Sequence, residues 1–317
     1  VLDLLTIGDV SMDTFCILDH DEASVMCNLD KANCQLTLNY ASKIPLKDIR
    51  QTGGGNAANA AVSAARLHLN TSIVASMGVD ETSRKILLAL EKENINLDNI
   101  ARSGRTNQSV ALVYAGERTL LTHHEDRHYH FGRPEAAQWL YLTSMARGGE
   151  KIMNDLLSYA DANNTKIVFN PGTYQIKQGA AAYRQVLGDC EIIILNKEEA
   201  AKFTNTDKTA STDDLLAKLL ELGPRIAVIT DGTEGSLASD SDETYTCPIM
   251  PARRVESTGA GDAYASAFVA AIIHGEDLPT AMKWGTANAA SVIEHIGPQR
   301  GLLTLAQIKH KIIGQST

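Results

Sequence analysis

Glu191-Ile192-Ile193-Ile194-Leu195-Asn196-Lys197-Glu198-Glu199 is an apolar run that gives way at once to a polar, helix-starting segment. A run with no polar face suits a strand covered on both sides, as in a parallel sheet between layers of helices. Asn196 reads as a helix cap with Glu charges in the first turn behind it. The same rhythm extends outward. Strands are predicted at Leu4 to Gly8, Ser72 to Ser76, Gln108 to Tyr114, Trp139 to Leu142, Lys166 to Asn170 and Ile226 to Thr230. Helical stretches such as Asn56 to Leu69, Ser83 to Asn94, Glu150 to Asn163 and Thr212 to Leu222 lie between them. Such alternation predicts an α/β fold: crossover units and a mostly parallel central sheet with helices on both faces.

Two segments break the rhythm. One runs from about Met12 to Arg50 and contains Cys34-Gln35-Leu36-Thr37-Leu38; the other, Val110 to Phe131, begins Val110-Ala111-Leu112-Val113-Tyr114. Both read as antiparallel strands outside the main sheet, two pieces (13–50 and 108–132) of one small β-lid. No repeat or Pro/Gly-rich linker divides the chain, so 1–317 is read as a single domain.

Composition narrows the function classes. The 317 residues are 44% hydrophobic and 21% charged, ordinary for a soluble globular protein. Net charge is −9, from 29 Lys+Arg against 38 Asp+Glu, which argues against nucleic acid as a partner but not against a nucleotide. No apolar run approaches the ~18 residues of a membrane span, and no secretory pattern is read at the N-terminus. The cysteines, Cys16, Cys27, Cys34, Cys190 and Cys247, are odd in number and lack C-x-x-C spacing. They are expected to be reduced thiols of a cytoplasmic protein rather than a disulfide framework or zinc site.

Ser257-Thr258-Gly259-Ala260-Gly261-Asp262-Ala263-Tyr264 carries the chemistry. Small residues stand where a helix begins, and the first N–H groups of a helix have no internal partner and a partial positive charge. A phosphate can approach Gly259, Ala260 and Gly261 closely. Asp262 would repel that phosphate, which makes sense if its carboxylate accepts the proton of a substrate hydroxyl attacking the γ-phosphorus. The helix end is expected to favour its ionised form. For an isolated G-x-G-D a tight turn with a well-placed charge is the better reading; the full octet and the small-residue helix behind it favour function.

Ser257 to Asp262 resembles the C-terminal signature of the ribokinase family, the PfkB carbohydrate kinases. Glu256 stands where that family has Asp, beside its monovalent-cation (K⁺) site. The resemblance implies a three-layer ribokinase-like fold with a β-lid and an ATP- and Mg²⁺-dependent transfer of the γ-phosphate to an alcohol of a sugar or nucleoside. It makes Asp262 the base and the amides of Gly259, Ala260 and Gly261 the anion hole.

Thr52-Gly53-Gly54-Gly55-Asn56-Ala57-Ala58-Asn59 is the second motif. Gly53, Gly55 and Ala58 also fit the relaxed dinucleotide fingerprint, but Lys47-Asp48-Ile49-Arg50-Gln51 before it is a poor buried strand. By resemblance, Gly54, Gly55 and Asn56 contact the sugar together with Asp13, Asp9 being the nearer alternative. Asn196 and Glu199 are similar to the family's Asn-x-x-Glu, with Glu199 holding Mg²⁺ through water. Thr230, Gly232 and Gly235 are similar to its nucleotide loop, and a hairpin turn of the Asp-Gly type can hold for those residues as well. Asn288 is placed beside the adenine, and the Gly297-Pro298-Gln299-Arg300-Gly301 loop at the nucleotide pocket. The family implies a homodimer through the lid. His123-His124-Glu125-Asp126-Arg127-His128-Tyr129-His130 reads mainly as a solvated loop. A nicotinamide-dependent oxidoreductase and a catalytically silent nucleotide binder are the rival classes.

Overall fold

The computed structural model describes residues 1–28, 34–126 and 128–314. The chain runs β1 (Leu2–Ile7), β2 (Ser11–Leu18), β3 (Ala23–Cys27), β4 (Cys34–Leu38), β5 (Leu46–Gly54), α1 (Asn56–Arg66), β6 (Thr71–Met77), α2 (Glu81–Glu91), β7 (Ile100–Arg102), β8 (Asn107–Tyr114) and β9 (Glu117–His123). It continues β10 (Ala137–Leu142), α3 (Met153–Asn163), β11 (Lys166–Phe169), α4 (Thr173–Gln178), α5 (Arg184–Gly188), β12 (Cys190–Asn196), α6 (Lys197–Phe203), α7 (Thr212–Glu221) and β13 (Ile226–Thr230). It ends β14 (Ser236–Ser239), β15 (Thr244–Cys247), α8 (Ala260–Ile273), α9 (Leu278–Val292) and α10 (Leu305–Ile313).

Nine strands form one sheet in the order β15-β14-β13-β12-β11-β10-β1-β6-β7. All pairs from β13 to β7 are parallel, and β14 and β15 add an antiparallel edge. The apolar run that opened the analysis shows why two helix layers are required. Side chains alternate across a strand, and Ile193 and Leu195 pack into one core with Leu156 of α3, Phe203 of α6 and Leu215 of α7. Ile192 and Ile194 pack into the other, with Ala60 of α1, Phe268 of α8 and Trp284 of α9. Burying each such side chain is worth about 1.5–3 kcal/mol, so a polar residue on either face would be costly. Helix ends are marked locally as well: Asp80, Ser211, Asp277 and Thr304 each accept from a first-turn amide.

A separate four-stranded sheet, in the order β5-β2-β8-β9, stands at the end of the main sheet where the strands finish. Both irregular segments contribute to it, but it is mixed rather than purely antiparallel: β2 pairs in parallel with β8, and antiparallel pairs flank them. Two strands supplied by distant segments need not run opposite ways, because no hairpin joins them. Phe15, Ala111 and Val113 give this sheet its own small core. Since β5 belongs here, the strand before Gly55 and α1 is not a central strand of the main sheet, which removes the dinucleotide-fold reading.

The cysteine expectation is corrected. β3 and β4 form a two-stranded ribbon in which Cys27 and Cys34 lie opposite each other and are joined by a disulfide. Their separation of seven fits no familiar sequence spacing, and only the register brings the sulfurs together. Cys16, Cys190 and Cys247 are free thiols. No helix among the described residues is long and apolar enough to cross a membrane.

Candidate active site

The loop before α8 is anchored from behind: the amides of Val255 and Glu256 donate to the Ile293 carbonyl at 2.7 and 3.2 Å. Gly259 then turns the chain into the helix with φ of 81°, and a Cβ there would lie 2.4 Å from Pro298 Cβ. Both the left-handed angle and the close approach demand glycine. A Cβ on Gly261 would meet nothing within 4 Å, so that side is open. Ala260 N–H donates to the Ser257 carbonyl at 3.3 Å. Among the described residues no backbone bond takes up the Gly259 or Gly261 N–H. The expected anion hole therefore has two free amides, with the third already engaged in the turn.

Asp262, in the first turn of α8, is half-buried and held by neutral partners. Asn56 Nδ2 donates to Oδ1 and Asn59 Nδ2 to Oδ2, each at 2.8 Å. The two asparagines are one helical turn apart on the same side of α1. Gln299 Nε2 donates to Asn59 Oδ1 at 3.0 Å and so fixes which way that amide faces. The Gly297–Gly301 loop thus supports Asp262 from behind, and its residues are not among those lining the cavity described below. Burial pushes the Asp262 carboxyl up to about 6, outweighing the two asparagine bonds, and the charge of Asp13 adds to the rise. This corrects the expectation that the helix end would dominate, although the group is still mostly ionised at pH 7.

Asp13, on β2, is buried and accepts from Ser109 Oγ of β8 at 2.5 Å and from Ser11 Oγ at 3.0 Å. Burial raises its pKa against those bonds. A Cβ on Gly54 would stand 2.0 Å from Asp13 Oδ2, so glycine is what lets β5 lie against the carboxylate. Gly55 follows as the N-cap residue of α1. Asp9, the alternative, accepts from Tyr129 Oη at 2.5 Å and lies 3.6 Å from His124 Nδ1. The His-rich segment is thereby partly tied to Asp9, just beyond β1, while His123 is exposed beside Glu125; Arg127 lies outside the described residues. Among the described residues no group of three His, Cys, Asp or Glu side chains is placed to hold a metal.

A cavity of about 990 Å³ opens beyond Asp262. Ser144, Asn170, Asn196 and Thr230, at the carboxyl ends of β10, β11, β12 and β13, line it. Asn56, Gly232, Glu199, Gly259, Gly261 and Asp262 line it too. Asn196 and Thr230 are register partners in adjacent strands, which is why two motifs far apart in sequence share one rim. Asn196 and Glu199 form a reciprocal cap: Asn196 Oδ1 accepts from Glu199 N–H at 2.8 Å, and Glu199 Oε2 accepts from Asn196 N–H at 3.0 Å. The cap is thus formed, and both residues also line the cavity. Burial raises the Glu199 pKa, and the Asp262 charge contributes. Thr230 to Gly235 is a β13–β14 hairpin whose connection contains a 3-10 turn at Gly232–Glu234.

Some expected residues are not brought to the cavity. Asn288 is completely buried in α9, donating to Ser63 Oγ and the Ala263 carbonyl and accepting from Leu303 N–H. Gly235 packs on β15 near the Cys247 carbonyl, and Ala260 is not among the lining residues. Others were missed. Asn59 was legible from its spacing to Asn56. Lys197 Nζ, 2.9 Å from Asp231 Oδ2, and Arg118 of β9 bring positive charge to the cavity, but isolated basic residues carried no sequence signal. Arg118 Nη1 donates to Ser257 Oγ at 2.6 Å, and its Nε lies 3.5 Å from Glu256 Oε1.

Comparison with known proteins follows the same lines. The model of the pfkB family of carbohydrate kinases matches residues 20–305. The 5-dehydro-2-deoxygluconokinase of Geobacillus kaustophilus is 28% identical over 281 residues, covering 82% of this chain and 84% of that one. A nucleoside kinase of Methanothermobacter thermautotrophicus is 26% identical over 267 residues, covering 81% and 83%. The structure of Arabidopsis thaliana ribokinase complexed with ribose and ATP superposes with a TM-score of 0.79 at 18% identity, covering 98% of this chain and 99% of that one; this likeness speaks to the fold. A carboxylate at a glycine-rich helix start, a cavity along the strand ends and a family match over most of the length agree: the chain belongs to the pfkB family of carbohydrate kinases.

Proposed function

We propose that this chain, an ATP-dependent kinase of alcohol groups by its family, phosphorylates a sugar or sugar-derived hydroxyl with Asp262 as general base. The observation that carries the reading is Asp262 itself, held by Asn56 and Asn59 at the mouth of the cavity, 2.8 Å from each amide. Both oxygens are oriented by neutral donors, so the carboxylate keeps its charge free to accept a proton. The acceptor lies between Asp262 and the pair formed by Asp13 and Gly54, with Gly55 and Asn56 completing its cradle. The Gly259 and Gly261 amides and the α8 dipole meet the charge that gathers on the transferred phosphoryl group.

ATP lies along the rim, against Asn196, Thr230 and Gly232. Glu199 fits Mg²⁺: it is a carboxylate at the cavity with one oxygen committed to Asn196, suited to a hydrated hard cation. Mg²⁺ would supply charge neutralisation to the nucleotide phosphates. K⁺ does not fit. The Glu256 carboxylate that would face it is already approached by the Arg118 guanidinium.

Nucleoside phosphorylation is the second reading, favoured by the similarity to the M. thermautotrophicus enzyme. The β5-β2-β8-β9 sheet, built largely from the segments 13–50 and 108–132, acts as a lid that excludes water. Its exposed Ile49, Leu120 and Leu121 support pairing of two copies through it, which light scattering would read. Use of ATP supports a cytoplasmic location, where the Cys27–Cys34 bridge would stand open to reduction. The deciding experiment is an ADP-release assay over sugars, keto-sugar acids and nucleosides. One acceptor class should turn over, and Asp262→Ala should lose about 10²–10⁴-fold in kcat while still binding ADP. Near-normal kcat in that variant refutes the role of Asp262.

A further inference from the structure

Glu256 presents a problem of charge. Its side chain is 1% exposed; Oε1 accepts from Thr258 N–H at 2.7 Å and from Thr258 Oγ1 at 2.5 Å, while Oε2 is buried with no hydrogen-bond partner. A buried carboxylate left in this state is unfavourable unless a positive charge stands near. Among the described residues, the cation paired with it is Arg118. Arg118 does not come from the loop or the helices behind it. It sits near the tip of the β8–β9 hairpin, two residues after Gly116, and reaches across to Glu256 and Ser257. The preceding residue makes a second tie, Glu117 Oε1 to Arg254 Nη2 at 2.5 Å. The hairpin tip is thus fastened to the segment that leads into Gly259.

We propose that Arg118 is a positioning residue for phosphoryl transfer: its guanidinium occupies the place beside Glu256 where a monovalent cation would otherwise be needed, so this kinase works without one. The guanidinium suits the task. It is permanently charged and its planar fork serves two partners at once, here an ion pair at 3.5 Å to Glu256 Oε1 and a hydrogen bond to the Ser257 hydroxyl. Ser257 accepts the 3.3 Å bond from Ala260 N–H, so holding Ser257 also holds the turn that presents the Gly259 and Gly261 amides. Because the charge arrives on β9, the phosphate-facing loop is set when the hairpin is docked, and a free ion in solution cannot replace it while Arg118 is present.

The inference rests on the kinase reading, and its test separates the two. Melting temperature is measured without nucleotide and with ADP, in KCl and in choline chloride at equal ionic strength, alongside kcat for the acceptor found above. In the wild type both readings should be the same in the two salts. Activation by KCl of about tenfold or more would overturn the proposal. In Arg118→Met, kcat in choline chloride should fall by about tenfold or more; KCl should recover part of it and raise the melting temperature. Arg118→Lys, which keeps the charge without the fork, should lie between. An Arg118→Met protein with wild-type kcat in choline chloride, or one no more responsive to KCl than the wild type, would also overturn it. Should Arg118→Met fail to fold, the wild-type and Arg118→Lys comparisons still decide. A failure of the kinase reading looks different: no acceptor releases ADP in either salt, while melting of the ligand-free protein still reports the Glu256 site.

Discussion

Asp262 is shaped by opposing influences, and their balance can be measured. Burial raises its pKa to about 6 while Asn59 and Asn56 pull it down. In its proposed role as base it must be ionised to act, so kcat/KM should fall with unit slope below a pH of about 6. Asn59→Ala removes a donor that favours the charged form, so its acidic limb should move to higher pH; an unmoved limb would show that Asn59 does not hold the carboxylate. The same raised pKa bears on stability. Between the ordinary value of 3.8 and about 6 the folded state binds more protons than the unfolded state, so stability falls as pH rises through that window. Above it the ionised Asp262 weighs against the fold. The stability of Asp262→Asn relative to the wild type should therefore rise by about 1–2 kcal/mol between pH ~4 and pH 8 after allowance for solvent access, on top of a fixed cost where the new amide meets the Asn56 and Asn59 donors. Thermal melts across that range check the sign.

At the scale of elements, the start of α8 sets two glycines against each other. A Cβ on Gly259 meets Pro298 in a left-handed backbone, whereas one on Gly261 meets open space. Gly259→Ala should cost about 1–3 kcal/mol of stability as well as activity. Gly261→Ala should leave melting unchanged or slightly raised, since alanine favours helix, and lower kcat because its methyl intrudes on the proposed approach of the phosphate. Equal behaviour of the two variants would contradict the geometry. Much of this element was legible in the sequence, because small residues at a helix start leave a direct trace. So did the strands: the run Glu191 to Leu195 suits a strand covered on both sides, and it is one. What was not legible depends on register and distance. Nothing in the order of residues says that β2 runs parallel to β8, that Cys27 faces Cys34, or that Arg118 reaches Glu256. Asn288 misled for a related reason: an Ala-rich helix near the end of the chain looks the same whether its asparagine faces a ligand or, as here, a packed interior.

For the molecule as a whole, the two large cores share one sheet and differ only in the face they occupy. Neither can form without the strands of the other, so calorimetry should give a single unfolding transition covering the main body. The β5-β2-β8-β9 sheet has only a small core of its own. It should melt with the body rather than separately, and a distinct low-temperature transition would show it to be an independent unit.

That modest core carries an evolutionary consequence. In the proposed mode the rim of the large sheet takes the nucleotide, while a patch of strands with a small core of its own takes the acceptor, joined to the body through Met12 and at the Arg118 contact. Mutations on the exposed side of the patch leave the deep interior untouched, so taste for a new acceptor can drift without jeopardising folding or the proposed nucleotide rim. Exchanging strands between relatives at these joints is thus a practical route to redirecting which alcohol is modified.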